Sequence, residues 1–179
     1  MMVEENHAGM VECRLCQIMA LPASVRQLQD TVLKESVAFE WIPGLGAFVE
    51  GYSLLVCRTH MLSTADLAHE AIVELQEMLA FAIRGLSAMY GTGVVAFEHG
   101  AMTSACHAGS CIAHHHIHLV PVDLPDLPNK LEAQFEKIID VRLLSDLPAL
   151  QANRTAYIVT VRRGTSVRLL REWDNAAMR

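Results

Sequence analysis

The chain has no run long and apolar enough to span a bilayer, so no membrane helix is expected. Positive charge is also scarce. Fourteen Lys and Arg stand against twenty Asp and Glu, for a formal charge of −6. An acidic chain has no general pull toward nucleic acid or anionic lipid, so neither is expected as a partner. Any phosphate it binds must be held locally, by backbone N–H groups and a few placed side chains. Charge of either sign is modest, at 19% against 52% hydrophobic residues, which argues for a packed core rather than disorder. There is no internal repeat and no low-complexity segment. Met1 to Gly9 is polar and acidic and does not read as a signal peptide. Five cysteines are an odd number, and two of them, Cys13 and Cys16, form a C-x-x-C. That suits a metal in a reducing cytoplasm better than a disulfide scaffold, and a cytoplasmic location is expected.

A chain of 179 residues suggests one domain. A short helical stretch follows Cys16, up to about Asp30. Val32 to Ile42 and Ala47 to Val56 read as strands, separated by the turn Pro43-Gly44-Leu45-Gly46. Ser63-Thr64-Ala65-Asp66 looks like a helix start. Ile72, Leu75, Leu79, Ile83 and Leu86 recur at helical spacing between Ala71 and Tyr90, and Gly91 and Gly93 end that helix. A short strand from Gly93 to Glu98 and a loop from His99 to Ser110 come next. A strand from about Cys111 to Val122 follows. After the linker Asp123 to Asn129, Lys130 to Ile139 reads as helix. Tyr157 to Arg162 and Val167 to Leu170 read as closing strands. Strands, one long helix and strands again indicate an α+β fold with a mostly antiparallel sheet.

The string His114-His115-His116-Ile117-His118-Leu119-Val120 is the most unusual feature. In a strand, alternation puts His114, His116 and His118 on one face and His115 on the other. Three neutral imidazoles in a row can bind a metal, attack phosphorus or shuttle protons. The plain alternative is a cluster of buried, hydrogen-bonded histidines.

This string resembles the signature of the histidine-triad (HIT) family, His-φ-His-φ-His-φ-φ with φ apolar, save that His115 takes the first φ place. Gly51-Tyr52-Ser53-Leu54-Leu55-Val56-Cys57-Arg58-Thr59-His60 is similar to the family's Gly-His-x-Leu-Val-φ-Pro-Lys-x-His element, with Tyr52 replacing the usual His. Phe97-Glu98-His99-Gly100 resembles a variant found in some bacterial members. The three blocks come in the family's order and span about residues 13 to 122, which makes 123 to 179 a C-terminal extension. The resemblance implies a HIT-like fold in a single domain and a homodimer with the sheet extended across the two-fold axis. It implies a nucleotide hydrolase or nucleotidyltransferase acting at the α-phosphate, with a dinucleoside polyphosphate or related nucleotide as substrate. His116 would be the nucleophile, its other ring nitrogen held by the His114 carbonyl. His118 would assist at phosphate oxygens or the leaving group.

The phosphate cradle would be the loop at Gly109, Ser110 and Cys111, where successive N–H groups can meet an anion. An ordinary polar turn is the other reading. Glu98 and His99 stand near the position of a nucleotide contact in relatives. A carboxylate repels phosphate, so Glu98 is expected to hold a histidine or a sugar hydroxyl. Some members use a Cys pair, a His after the Gly-His strand and the first triad His as zinc ligands. Here these would be Cys13, Cys16, His60 and His114, a closed structural site. Reduced core cysteines or a redox pair are the alternatives. Phe39, Trp41 and Phe48 lie on strands that form the base pocket in the family, or serve the core or a dimer face. A zinc-stabilised nucleotide-binding or partner-binding module without turnover is the rival to the enzyme reading.

Overall fold

The computed structural model describes residues 13–44, 46, 48–100, 112–124, 130, 135–141, 144–150, 157–162 and 166–173. For 135–141, 150, 157–162 and 166–173 only the backbone is described. The chain opens with helix α1 (Arg14–Ala20) and two short 3-10 turns. Strands β1 (Lys34–Glu35), β2 (Phe39–Pro43) and β3 (Ser53–Cys57) follow. The long helix α2 (His69–Tyr90) leads to β4 (Val94–Gly100) and the histidine strand β5 (His116–Pro121). Strand β6 (Phe135–Val141), a four-residue helix α3 (Leu147–Leu150), β7 (Tyr157–Arg162) and β8 (Ser166–Trp173) complete it.

Among the described residues, all eight strands join one sheet in the order β1-β2-β3-β5-β4-β7-β8-β6, with every pair antiparallel. This is the α+β arrangement with one long helix expected from the pattern of elements. The C-terminal strands continue the sheet beyond β4, whose outer edge is taken by β7. The ends of the strand order are therefore β1 and β6.

Helix α2 forms because Ile72, Leu75, Leu79, Ala82 and Leu86 fall on one face, and all five are buried against one side of the sheet. It stops at Gly91, whose φ of +64° is cheap only for glycine and lets its N–H cap the Ser87 carbonyl. On that side Phe39, Leu55, Cys57, Ala96, Ile117 and Leu119 face the helix. Leu15 and Ile18 of α1, one turn apart, pack on the other side against Ile42, Leu54 and Val56. Strand alternation thus sorts each strand between two apolar layers.

Several expectations need correction. The strand expected from Val32 to Ile42 is a hairpin: a tight turn closed by Ser36 N–H to the Phe39 carbonyl (2.9 Å) separates β1 from β2. The second strand begins at Ser53 rather than Ala47. Ser63 to Asp66 makes a 3-10 turn, and α2 starts later, at His69. The stretch expected to be helical from Lys130 to Ile139 contains strand β6, which pairs with β8 from Phe135↔Trp173 to Val141↔Val167. Its backbone groups are satisfied by β8 instead of by a helical turn. The histidine strand begins at His116, so His114 and His115 belong to the turn that enters it. Among the described residues no helix is long and apolar enough to cross a membrane.

The arm between α1 and β1 is fastened by a buried charge pair. Arg26 donates to both carboxylate oxygens of Glu40, and its Nε donates to the Leu21 carbonyl at 3.0 Å. The Arg26 and Glu40 side chains are 3% and 1% exposed. Arg58 approaches Glu40 from the other side at 3.1 Å. Removing one partner leaves a buried charge unmatched, which costs far more than the pair itself contributes. Glu40→Ala is expected to lower unfolding free energy by about 3–5 kcal/mol, measured by denaturant titration. A loss under about 1 kcal/mol would contradict this role.

Candidate active and metal site

Strand β5 lies between β3 and β4, in register with Leu54↔His118 and Val56↔His116 on one side and Phe97↔His118 on the other. His116 and His118 therefore share the α1 side of the sheet, their ring centroids 4.7 Å apart. His99, on the same side of β4, brings a third imidazole, with centroids 6.4 Å from His118. The Phe97 ring stacks on His118 at 4.5 Å and 16°. The expected pair His116 and His118 thus shares one side of the sheet, and His99, expected near a nucleotide contact, lies beside them. Gly109, Ser110 and Cys111, the expected phosphate cradle, lie outside the described residues.

Hydrogen-bond partners set the proton on each ring. A backbone carbonyl only accepts, so a ring nitrogen bonded to one must carry the hydrogen. His116 Nδ1 donates to the His114 carbonyl at 2.6 Å, which leaves Nε2 with its lone pair. Burial lowers the His116 pKa, outweighing the carbonyl bond that favours its charged form. The ring is thus a neutral imidazole with a bare Nε2. Burial likewise takes His118 down to about 3, with the neighbouring His116 and His99 adding to the shift. His99 is lowered by burial as well.

His114 Nε2 donates to the Cys57 carbonyl at 2.7 Å, so its Nδ1 lone pair is free to ligate. That Nδ1 lies 3.4 Å from the Sγ atoms of both Cys13 and Cys16. His60 Nδ1 stands 3.2 Å from Cys16 Sγ. The four ligand atoms of Cys13, Cys16, His60 and His114 all lie within 4.8 Å of one another, a group able to hold a metal ion. Burial and the adjacent Cys13 push the Cys16 thiol up to about 12. A bound cation reverses that by stabilising the thiolate. All four residues proposed from sequence converge.

His115 goes to the opposite side of the sheet, with its ring against Phe39 at 5.8 Å. Its Nε2 is 2.9 Å from Thr64 Oγ1, and Thr64 in turn donates both N–H and Oγ1–H to Glu98 at 2.7 Å. Glu98 is 1% exposed and 3.7 Å from His115 Nε2. It therefore lies on the side of the sheet away from His116 and His118. Alternation along β4 turns it away from His99 and toward Thr64, and the histidine it holds is His115. Two further contributors had been given no role from the sequence. Thr64 carries no motif. Tyr52 does carry a signal, since it departs from the family pattern; its hydroxyl lies 2.6 Å from His118 Nδ1.

No protein-family profile matches the chain, and no curated protein matches it in sequence. Solved structures do match. A HIT family protein from Bacillus anthracis superposes with a TM-score of 0.52 at 16% identity, over 63% of this chain and 74% of its own. A member of the HIT family from Bacillus subtilis gives 0.51 at 15% identity, over 68% and 94%. A DUF4931 family protein from Bacillus cereus gives 0.55 at 10% identity, over 80% and 86%. The chain has the HIT fold, with a four-residue group beside its histidine strand that can hold a metal.

The lowered pKa of His118 has a consequence for stability. Unfolded, the ring titrates near 6.5; folded, it falls to about 3. Between those values the unfolded chain binds the extra proton, so this contribution to stability is lost as pH falls through that window. Comparing unfolding free energies at pH 7.5 and pH 5, His118→Asn is expected to lose less on acidification than the parent chain. An equal loss in both would contradict the burial of a neutral ring.

Proposed function

We propose that this chain is a nucleotide hydrolase or nucleotidyltransferase acting at the α-phosphate through a covalent nucleotidyl-histidine. The observation that carries the reading is the hydrogen bond from His116 Nδ1 to the His114 carbonyl, which leaves a buried, neutral Nε2 as nucleophile. In the first step that lone pair forms a bond to phosphorus. The bond from phosphorus to the leaving group breaks, and its electron pair departs with the leaving atom, an oxygen or, in a phosphoramidate, a nitrogen. In the second step the oxygen of water or another acceptor attacks phosphorus and gives up its proton. The phosphorus–nitrogen bond breaks, and its pair returns to Nε2. His118 and His99 flank the reacting atoms, positioned to meet phosphate oxygens or the leaving group. The substrate class is a nucleotide with a leaving group on its α-phosphate: a dinucleoside polyphosphate, sugar nucleotide or nucleoside phosphoramidate.

Zinc is the proposed ion at Cys13, Cys16, His60 and His114. Tetrahedral zinc with two thiolates and two imidazoles holds sulfur and nitrogen about 3.5 Å apart, close to the separations seen here. With four protein ligands the ion would be structural, tying the N-terminal arm to the turn that holds His114 and leads into His116. A cytoplasmic homodimer completes the reading; β1 and β6 are the sheet edges at which a second copy can add.

Two measurements test this. Metal analysis of protein purified without a metal-affinity step should give about one zinc per protomer, and a chelator should lower the Tm. No zinc, with Cys13 and Cys16 open to thiol reagents, would remove the site. In single-turnover release of leaving group from adenylyl and guanylyl substrates, His116→Ala should lose at least about three orders of magnitude while still binding nucleotide. His115→Ala, on the other side of the sheet, should reduce stability and leave the rate per folded molecule nearly unchanged. Equal rate losses in the two variants would refute the assignment of His116.

A further inference from the structure

We propose that Tyr52 is a positioning residue that holds His118 as the Nε2–H tautomer. His116 and His118 then present opposite atoms to the site, a lone pair on one ring and an N–H on its neighbour. The inference rests on the reading of His116 as nucleophile for its purpose, but its geometry is independent of that reading.

The Tyr52 hydroxyl is 2.6 Å from His118 Nδ1, and the two rings are within 12° of parallel. Either group can in principle donate. A phenol oxygen is a much weaker acceptor than an unprotonated imidazole nitrogen, whereas its O–H is a good donor. The hydroxyl therefore donates to Nδ1, and the single ring hydrogen of the neutral imidazole sits on Nε2. Phe97, stacked on a face of the His118 ring, keeps it from turning over. His118 Nε2 is buried and has no hydrogen-bond partner among the described residues. A buried N–H of that kind matches an oxygen of a phosphate or a departing group.

The seat for Tyr52 is built into the backbone. Gly44 N–H donates to the Tyr52 carbonyl at 3.0 Å. A Cβ at Gly44 would stand 2.3 Å from two carbons of the Tyr52 ring, a distance no real contact tolerates. The aromatic ring of Phe48 closes the remaining side at 5.2 Å. Glycine at 44 is therefore needed for the ring to lie against His118. The chemistry differs from that of the histidine common at this position in the family. A phenol stays protonated at neutral pH and offers one hydrogen in one direction, so the tautomer is set without a change of charge.

The test is long-range proton–nitrogen NMR of the full, nitrogen-labelled chain without added nucleotide, with His118 assigned by the loss of its signals in His118→Asn. The wild-type spectrum alone decides the tautomer. The expected pattern is Nε2 protonated and Nδ1 bare in His118, and the reverse in His116. Tyr52→Phe should shift the His118 tautomer ratio toward Nδ1–H by at least about fivefold, the effect of one lost hydrogen bond, while His116 stays as it is. Gly44→Ala, which displaces the ring but keeps the hydroxyl, should do the same and stands in should Tyr52→Phe fail to fold. A wild-type His118 protonated on Nδ1, or a ratio unmoved in both variants, would overturn the proposal. Because no substrate is present, the result is separate from whether His116 turns over a nucleotide.

Discussion

His114 is held from three directions, and the rest of the site depends on how it is held. Its Nε2–H is fixed by the Cys57 carbonyl, its Nδ1 faces two thiols, and its own carbonyl takes the hydrogen of His116. One residue at the mouth of β5 thus joins the metal-ligating group to the ring next along the chain. Carbonyls are acceptors only, so both rings have a fixed proton position without any charged partner. The neutral form is secured by burial, which lowers His114 to about 4 and lowers His116 as well. Any shift of that turn would disturb ligand geometry and proton placement together.

The sheet makes this possible by separating the two jobs of the histidine string. Its α2 side receives His115, which with Thr64 and Glu98 forms a buried polar knot inside an apolar layer. That knot fastens the turn entering β5 to the segment leaving β3, since Thr64 belongs to the 3-10 turn ahead of α2. Within the knot Thr64 gives Glu98 two hydrogen bonds and meets His115 Nε2 with its hydroxyl, and losing one of these bonds at such depth would be costly. The α1 side keeps His116, His118 and His99 together, with Phe97 stacked on His118 and the Tyr52 hydroxyl at its Nδ1. The C-terminal strands add to the sheet beside β4, so Ile158 is the register partner of His99.

Much of this was legible in the order of residues. Periodicity located α2, β-branched runs located β7 and β8, and the spacing of His116 and His118 placed them on one face. The zinc-type ligand set was readable only through resemblance, because its members are up to 101 positions apart. The error at β6 has a physical origin. Leu131, Phe135, Ile138 and Ile139 fall at helical intervals, while Ile138, Ile139 and Val141 are also good strand residues, and pairing with β8 decides between them. The hairpin at Ser36 and the late start of α2 depend on local hydrogen bonds that hydrophobic patterning does not encode. Which of the two expected partners Glu98 meets depends on the phase of alternation in β4, which follows from Val94↔Pro121 pairing across the sheet. Thr64 contributes through a tertiary contact with residues 34 and 51 positions away, and no local signal marks such a contact.

The proposed chemistry turns on phosphorus passing through nitrogen on His116. Intact-protein mass spectrometry of the chain quenched in alkali during turnover tests it directly, since a phosphoramidate survives base. The account predicts an added mass of one nucleoside monophosphate, mapped by fragmentation to His116. Turnover of the same substrate with no adduct at any time point, or an adduct on another residue, would contradict it.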